Sequence, residues 1–316
     1  MAKTIVEFSG GLDSTYALYD ILSNTSDEVV CIHFDHSYHT ERFQNLVSPS
    51  LQSEMHQYQT AQCRKIIKWC SDNIRSVTMI IKSLAGMEEN ETTLHFRART
   101  CAKYANDNGF TKVVRNDTRR VDIPWRLPNL NDPKTSIWHS VNAAFAGQVD
   151  SGKTITYVNH CEENSINIAQ RISNLPSGLY DLIAACSNPK PLANGEFETC
   201  KDCQKEAWRA FVSDALSRGL TTAANFPTWF VSDLDSNPTV TFSFYEGGVS
   251  KNVSMKKFDL INNEVRREID LSSSTFGVSA NTAGHLANTT PTSNSSQRWS
   301  GTGVSLYQKS MGAYYV

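Results

Sequence analysis

Two groups of residues in this chain have the types and spacing to do chemistry. The first is Phe8-Ser9-Gly10-Gly11-Leu12-Asp13-Ser14-Thr15, which follows the apolar run Ile5-Val6. A strand that ends in Ser-Gly-Gly can turn sharply, because glycine tolerates positive φ and has no Cβ to hold a ligand away. The helix predicted to start at Leu12 would present free N–H groups at its positive end, and such an end binds phosphate. The hydroxyls of Ser9, Ser14 and Thr15 add short donors, and Asp13 adds a carboxylate that can help place Mg²⁺. The second group is Cys186, Cys200 and Cys203, the last two as Cys-x-x-Cys at the head of a predicted helix. A Cys-x-x-Cys opening a helix, with a third cysteine across a short loop, is the arrangement of a small structural zinc site.

The elements that must position these groups follow from periodicity. Residues 4–8 read as a first strand, and Leu12, Tyr16, Leu18, Ile21 and Leu22 give the helix leaving the loop. Glu28–Phe34 reads as a buried strand ending at Asp35-His36-Ser37-Tyr38-His39, Glu54–Trp69 as a helix, and Val77–Ile81 as a third strand. Leu94–Tyr104 is predicted helical and carries Arg97 and Arg99, which either meet an acidic substrate or line a solvated face. Thr111–Val114 is a short strand, Ile137–Ala146 a helix and Thr154–Val158 a strand ending in Asn159-His160-Cys161-Glu162-Glu163. Repeated β–α alternation predicts an α/β doubly wound parallel sheet. Ligands in such sheets sit at the carboxyl ends of strands, so the polar cluster Asp35-His36-Ser37-Tyr38-His39 is expected to face the same crevice as the glycine loop.

A second glycine stretch, Gly147-Gln148-Val149-Asp150-Ser151-Gly152-Lys153-Thr154, has the Walker A spelling. A Walker loop needs a strand before it and a helix after it, and the order here is reversed. A surface helix-to-strand turn is the expectation.

The loop Ser9-Gly10-Gly11-Leu12-Asp13-Ser14 resembles the SGGxDS loop of the N-type ATP pyrophosphatases. Together with the Pro124–Asn129 stretch, the strand end Val158-Asn159 and the later cysteines, it makes the chain similar to the 7-cyano-7-deazaguanine (preQ0) synthases over about residues 3–215. The likeness is weakest at 83–121, which is expected as an insertion. The resemblance implies an adenine nucleotide α-hydrolase-like, Rossmann-like fold and an ATP-dependent C–N ligase. Such an enzyme adenylates the carboxylate of 7-carboxy-7-deazaguanine, admits ammonia to form the amide, and activates that amide for dehydration to the nitrile. The implied residues are Asp13 and Ser14 for catalysis, and Phe8 to Thr15 with His33 and Phe34 for ATP and Mg²⁺. Cys186, Cys200 and Cys203 are the implied ligands of Zn²⁺.

Two departures mark the chain off. Phe197 and Glu198 stand where the family has a further Cys-Gly, so a fourth zinc ligand would be water or a borrowed His160 or Cys161, and Glu206 replaces a basic residue. The alternatives are another amidating or thiolating member of the loop superfamily, and a nucleotide-binding partner subunit.

At 316 residues with net charge −2, the chain has no broad basic footprint for nucleic acid, so a small partner is expected, and the resemblance implies a deazapurine carboxylate and ammonia. It lacks a roughly 20-residue apolar run and a leader at Met1–Phe8, and is expected to be cytoplasmic, without a membrane partner. Two regions are predicted: 1–220 as the ATP domain, with the cysteine cluster at 186–203, and 221–316 as a C-terminal extension. The extension reads as a hairpin, Thr239–Tyr245 with Val249–Val253, and then a Ser/Thr/Asn-rich segment from Ser272 to Gly303. A homo-oligomer is expected, with the extension a possible dock for a partner protein.

Overall fold

Five runs of β-branched and apolar residues pair as one all-parallel sheet in the order β3-β2-β1-β4-β5. A computed structural model describes residues 2–35, 49–87, 91, 93–116, 137–185, 189–199, 204–231, 239–246 and 249–256. The strands are β1 (Lys3–Glu7), β2 (Glu28–Asp35), β3 (Thr78–Ser83), β4 (Lys112–Arg115) and β5 (Thr156–Asn159). Between them run α1 (Leu12–Asn24), α2 (Pro49–Asn73), α3 (Thr93–Asn108) and α4 (Ile137–Ala146). The α/β doubly wound parallel sheet expected from the alternation is therefore present.

In the central pairing Lys3 lies opposite Glu28 and Glu7 opposite Ile32, while Thr4 to Val6 lie opposite Lys112 to Val114 on the other side. From β1 the chain moves outward through β2 and β3, then returns to lay β4 against β1. That reversal opens a crevice past the carboxyl ends of β1 and β4. The stretch at 83–121, expected as an insertion, instead supplies α3 and the strand paired with β1.

Strand side chains alternate between two faces. Ile5, Val30, Ile32, Phe34 and Val113 face α3 and α4, packing on Leu94, Phe96, Ala98, Cys101, Val141 and Phe145. Cys31 and His33 point the other way, toward Cys63 and Cys70 of α2. Arg75, just past α2, donates to the carbonyls of Leu22 and Ile21 at the end of α1, and to that of Asp27. The guanidinium thus adds to the closure of α1, where the Ile21 carbonyl also accepts from the Thr25 N–H, and fixes the turn into β2.

After β5 come three short helices, α5 (His160–Glu163), α6 (Ile168–Asn174) and α7 (Ser177–Tyr180). Asn167 caps α6 in a reciprocal capping box with Gln170. By compactness the chain forms two units, one built from Met1–Tyr38 and Gln59–Ala184, the other from His39–Tyr58 and Ala185–Tyr315. The division follows Ala184, not the composition change near 220. In the second unit a small hairpin, β6 (Lys190–Pro191) with β7 (Phe197–Glu198), precedes α8 (Gln204–Ser217) and α9 (Phe226–Val231). Phe226 and Phe230 stack and Phe211 meets both edge-on, with centroids 5.6–6.2 Å apart, forming an aromatic core between these two helices. The predicted hairpin is present as β8 (Thr239–Glu246) antiparallel to β9 (Val249–Lys256). Residues 272–303 lie outside the described residues. No described helix is long and apolar enough to cross a membrane.

Candidate functional site

The turn between β1 and α1 is built by requirements local to six residues. Gly10 adopts φ +70°, a left-handed value that side chains rarely adopt, and Gly11 is the extended N-cap of α1. No side chain caps this helix. The first intrahelical bond is Thr15 N–H to the Gly11 carbonyl at 3.0 Å. The helix itself therefore supplies no acceptor for the amides of Leu12, Asp13 and Ser14, at the end where the dipole is positive.

Hydroxyls stitch the turn into one shape. Ser14 Oγ donates to the Gly11 carbonyl at 3.3 Å and accepts from Ser9 N–H at 3.3 Å. Its proton being so used, Ser9 Oγ donates to Ser14 Oγ at 3.2 Å and accepts from Gly11 N–H at 3.4 Å. These contacts are long and individually weak, yet they close a ring. Ser14 is 3% exposed, so its role here is to shape the turn. The Thr15 hydroxyl, wholly buried one residue on, has no hydrogen-bond partner among the described residues.

The loop is also held from behind. Ala184 N–H donates to the Gly10 carbonyl at 2.7 Å. A Cβ on Gly10 would stand 2.9 Å from Cys63 Sγ, which rules out any larger residue without displacing α2. Cys63 is buried, and desolvation pushes its thiol well above the ordinary range, so it packs as a neutral group.

Asp13 is partly exposed, and its Oδ1 lies 3.0 Å from Nε of Arg171, which is completely buried. The N–H points off the oxygen, making this an ion pair rather than a linear hydrogen bond. Arg171 Nη1 donates to the Ile166 carbonyl at 2.7 Å, which anchors the guanidinium. Farther along the same side of α1, Asp20 Oδ2 lies 2.7 Å from His160 Nε2 and Asp20 Oδ1 accepts from Asn24. The hydrogen bond from His160 holds the Asp20 carboxyl below its ordinary value against the opposing effect of burial.

The other face of the same strand carries a charged network that the strand pattern did not assign. Glu7, 4% exposed, accepts from Arg97 Nη2 at 2.9 Å and from the Tyr157 hydroxyl at 2.6 Å. Asn116, just beyond β4, donates to the Glu7 carbonyl at 3.2 Å, bridging the ends of the two strands that flank the crevice. Burial, and then the neighbouring Glu7 charge, push the Tyr157 hydroxyl well above its usual value, so it stays a donor. Arg97 also lies over the Phe34 ring, 5.6 Å from its centroid. Of the two arginines weighed as a solvated face, Arg97 turns to the sheet, while Arg99 makes two bonds to Glu91. A glutamate inside the apolar run Ile5-Val6-Glu7-Phe8 was the available signal, since a buried charge demands a partner.

The structure brings Phe8, Ser9, Gly10, Gly11, Leu12, Asp13, Ser14 and Thr15 to the carboxyl end of β1. His33 and Phe34 sit at the end of adjacent β2. The His33 ring is 2% exposed and both its nitrogens are engaged, so only its backbone is left to meet a base. Phe34 is 3% exposed and buries its ring edge-on against Phe96. Cys186, Cys200 and Cys203 lie outside the described residues. Among the described residues no group of three or more His, Cys, Asp or Glu side chains is placed to hold a metal ion.

The Walker-like stretch is a helix-to-strand turn. Gly147 N–H completes α4 on the Ala143 carbonyl, and Lys153 Nζ donates to the Asn106 carbonyl at 2.9 Å and to Asp150 at 2.8 Å. Its lysine thus serves the carbonyl end of α3. No protein-family model, curated protein or solved structure matches the chain.

Proposed function

We propose that this chain is an ATP-dependent C–N ligase with an adenine nucleotide α-hydrolase-like fold, activating a carboxylate for amidation. The substrate proposed is 7-carboxy-7-deazaguanine, converted with ammonia to 7-cyano-7-deazaguanine or its amide. One observation carries the reading: an uncapped helix start, entered through a left-handed glycine, at the carboxyl end of the strand where the sheet reverses its order.

In this reading the substrate carboxylate attacks the α-phosphorus of ATP. The amides of Leu12, Asp13 and Ser14 receive the charge that develops on the departing pyrophosphate. Ser9 and Ser14 keep the amides aimed. Backbone groups of His33 and Phe34 would meet the adenine. Ammonia then displaces AMP to leave the amide. Asp13 is a hard oxygen donor with 29% of its side chain exposed, which suits Mg²⁺, and Arg171 holds its rotamer. Cys186, Cys200 and Cys203 form a thiolate set suited to Zn²⁺, which when bound would tie the loop carrying them. A homo-oligomer belongs to the same proposal.

Pyrophosphate release from ATP, measured with and without 7-carboxy-7-deazaguanine and ammonia, tests the reading. Release that depends on the deazapurine is the expected result. Release that requires a different acceptor would move the chain to an amidating or thiolating sibling. No release from a chain that still binds ATP would make it a nucleotide-binding partner subunit.

A further inference from the structure

His33 is occupied below the loop in a way that sets a direction. Its Nδ1 lies 2.9 Å from the Phe8 carbonyl oxygen, and its Nε2 lies 2.9 Å from Thr60 Oγ1 on α2. A carbonyl oxygen only accepts, so Nδ1 carries the hydrogen. On a neutral ring Nε2 is then an acceptor, and the Thr60 hydroxyl donates to it. Burial favours the neutral ring by lowering the imidazole's proton affinity, although the Phe8 carbonyl pulls the other way. Cys63 Sγ, 3.5 Å from Nδ1, fills the space between the ring and Gly10.

The Phe8–Ser9 peptide is planar and trans, so its C=O and N–H point in opposite directions. Phe8 N–H is fixed on the Ile32 carbonyl at 2.8 Å, and its C=O is fixed by His33. Ser9 N–H is thereby aimed at Ser14 Oγ, at 3.3 Å, where the hydroxyl ring that shapes the turn begins. We propose that His33, held as its Nδ1–H tautomer by Thr60, is a positioning residue that locks the Phe8–Ser9 peptide and so sets the anion-binding amides of the loop for pyrophosphate. This rests on the nucleotide reading of the same loop. It gives the imidazole a task distinct from contact with a base.

The test uses the full chain and two probes, inorganic pyrophosphate and MgATP, with calorimetric affinities and melting temperatures for wild type, His33→Asn, His33→Gln and Thr60→Val. The Asn amide nitrogen can occupy the place of Nδ1 and keep the bond to Phe8, whereas the longer Gln reaches toward Thr60 and loses it. His33→Asn should bind pyrophosphate within about threefold of wild type and His33→Gln about tenfold or more weakly, the worth of one buried hydrogen bond, at similarly lowered melting temperatures. Thr60→Val should fall between them. Nitrogen-15 spectra of the wild-type imidazole should show a neutral ring protonated at Nδ1.

An Nε2–H tautomer overturns the proposal. So do equal losses in both His33 variants that track melting temperature, which would make the ring mere packing, and so does wild-type affinity in both. A wild-type chain that binds neither probe overturns the nucleotide reading and the pyrophosphate role with it, while the tautomer measurement still decides whether the clamp exists.

Discussion

Two glycine-bearing stretches of this chain carry nucleotide-loop spellings, residues 9–15 and 147–154, and they meet opposite ends of helices. The first leads into the amino end of α1, where no side chain caps the N–H groups and the dipole is positive. The second trails the carboxyl end of α4, where the orphan groups are carbonyls and the dipole is negative. A phosphate is attracted by one and repelled by the other, whatever the letters. The teaching is that direction of the chain, relative to the helix it touches, decides what a glycine turn can bind.

Substitutions at the paired glycines test that contrast most severely. Gly10→Ala combines a left-handed φ with a Cβ set 2.9 Å from Cys63 Sγ. It should cost about 3 kcal/mol of stability by strain and overpacking and abolish pyrophosphate binding, read by thermal unfolding and calorimetry. Binding that survives would break the comparison at its stronger end.

Next in size is the pair that ties the head of α1. Arg171→Leu removes the buried partner of Asp13 and should destabilise the chain by about 2–3 kcal/mol in denaturant unfolding. Unchanged stability would show that the loop helix stands without this anchor.

The third test uses pH. Asp20 has its carboxyl pKa depressed in the folded state, chiefly by the hydrogen bond from His160. The stabilisation this contributes is therefore present above the ordinary carboxylate pKa of about 4 and lost as pH falls through the lower folded value. His160→Gln should lower stability by about 1 kcal/mol at neutral pH and by much less near pH 2. Melting curves of the two proteins that stay equally far apart at both pH values would show that the pair contributes through packing instead.

The smallest effects belong to the Walker-like turn. A Cβ on Gly152 meets nothing within 4 Å, so Gly152→Ala should cost only the φ penalty of about 1 kcal/mol. Lys153→Ala should cost about 0.5 kcal/mol, since its ion pair is exposed. Neither should alter ATP affinity in a binding titration. A loss of affinity in Lys153→Ala would reverse the assignment of the two stretches.

Much of this was legible residue by residue, because the strand run, the Gly10-Gly11 turn and the helix start at Leu12 are set by neighbours only a few positions apart. The helix over Ile137–Ala146 and the hairpin at 239–256 were readable for the same reason. What stands behind the loop was not. Cys63 beneath Gly10, Thr60 against His33, Arg171 beside Asp13 and Arg97 with Tyr157 on Glu7 are contacts between residues distant in the chain, and no local pattern pairs them. Strand order has the same origin. Laying β4 against β1 depends on how the helices cover the two faces of the sheet, and that packing turns a glycine turn readable by itself into the mouth of a crevice.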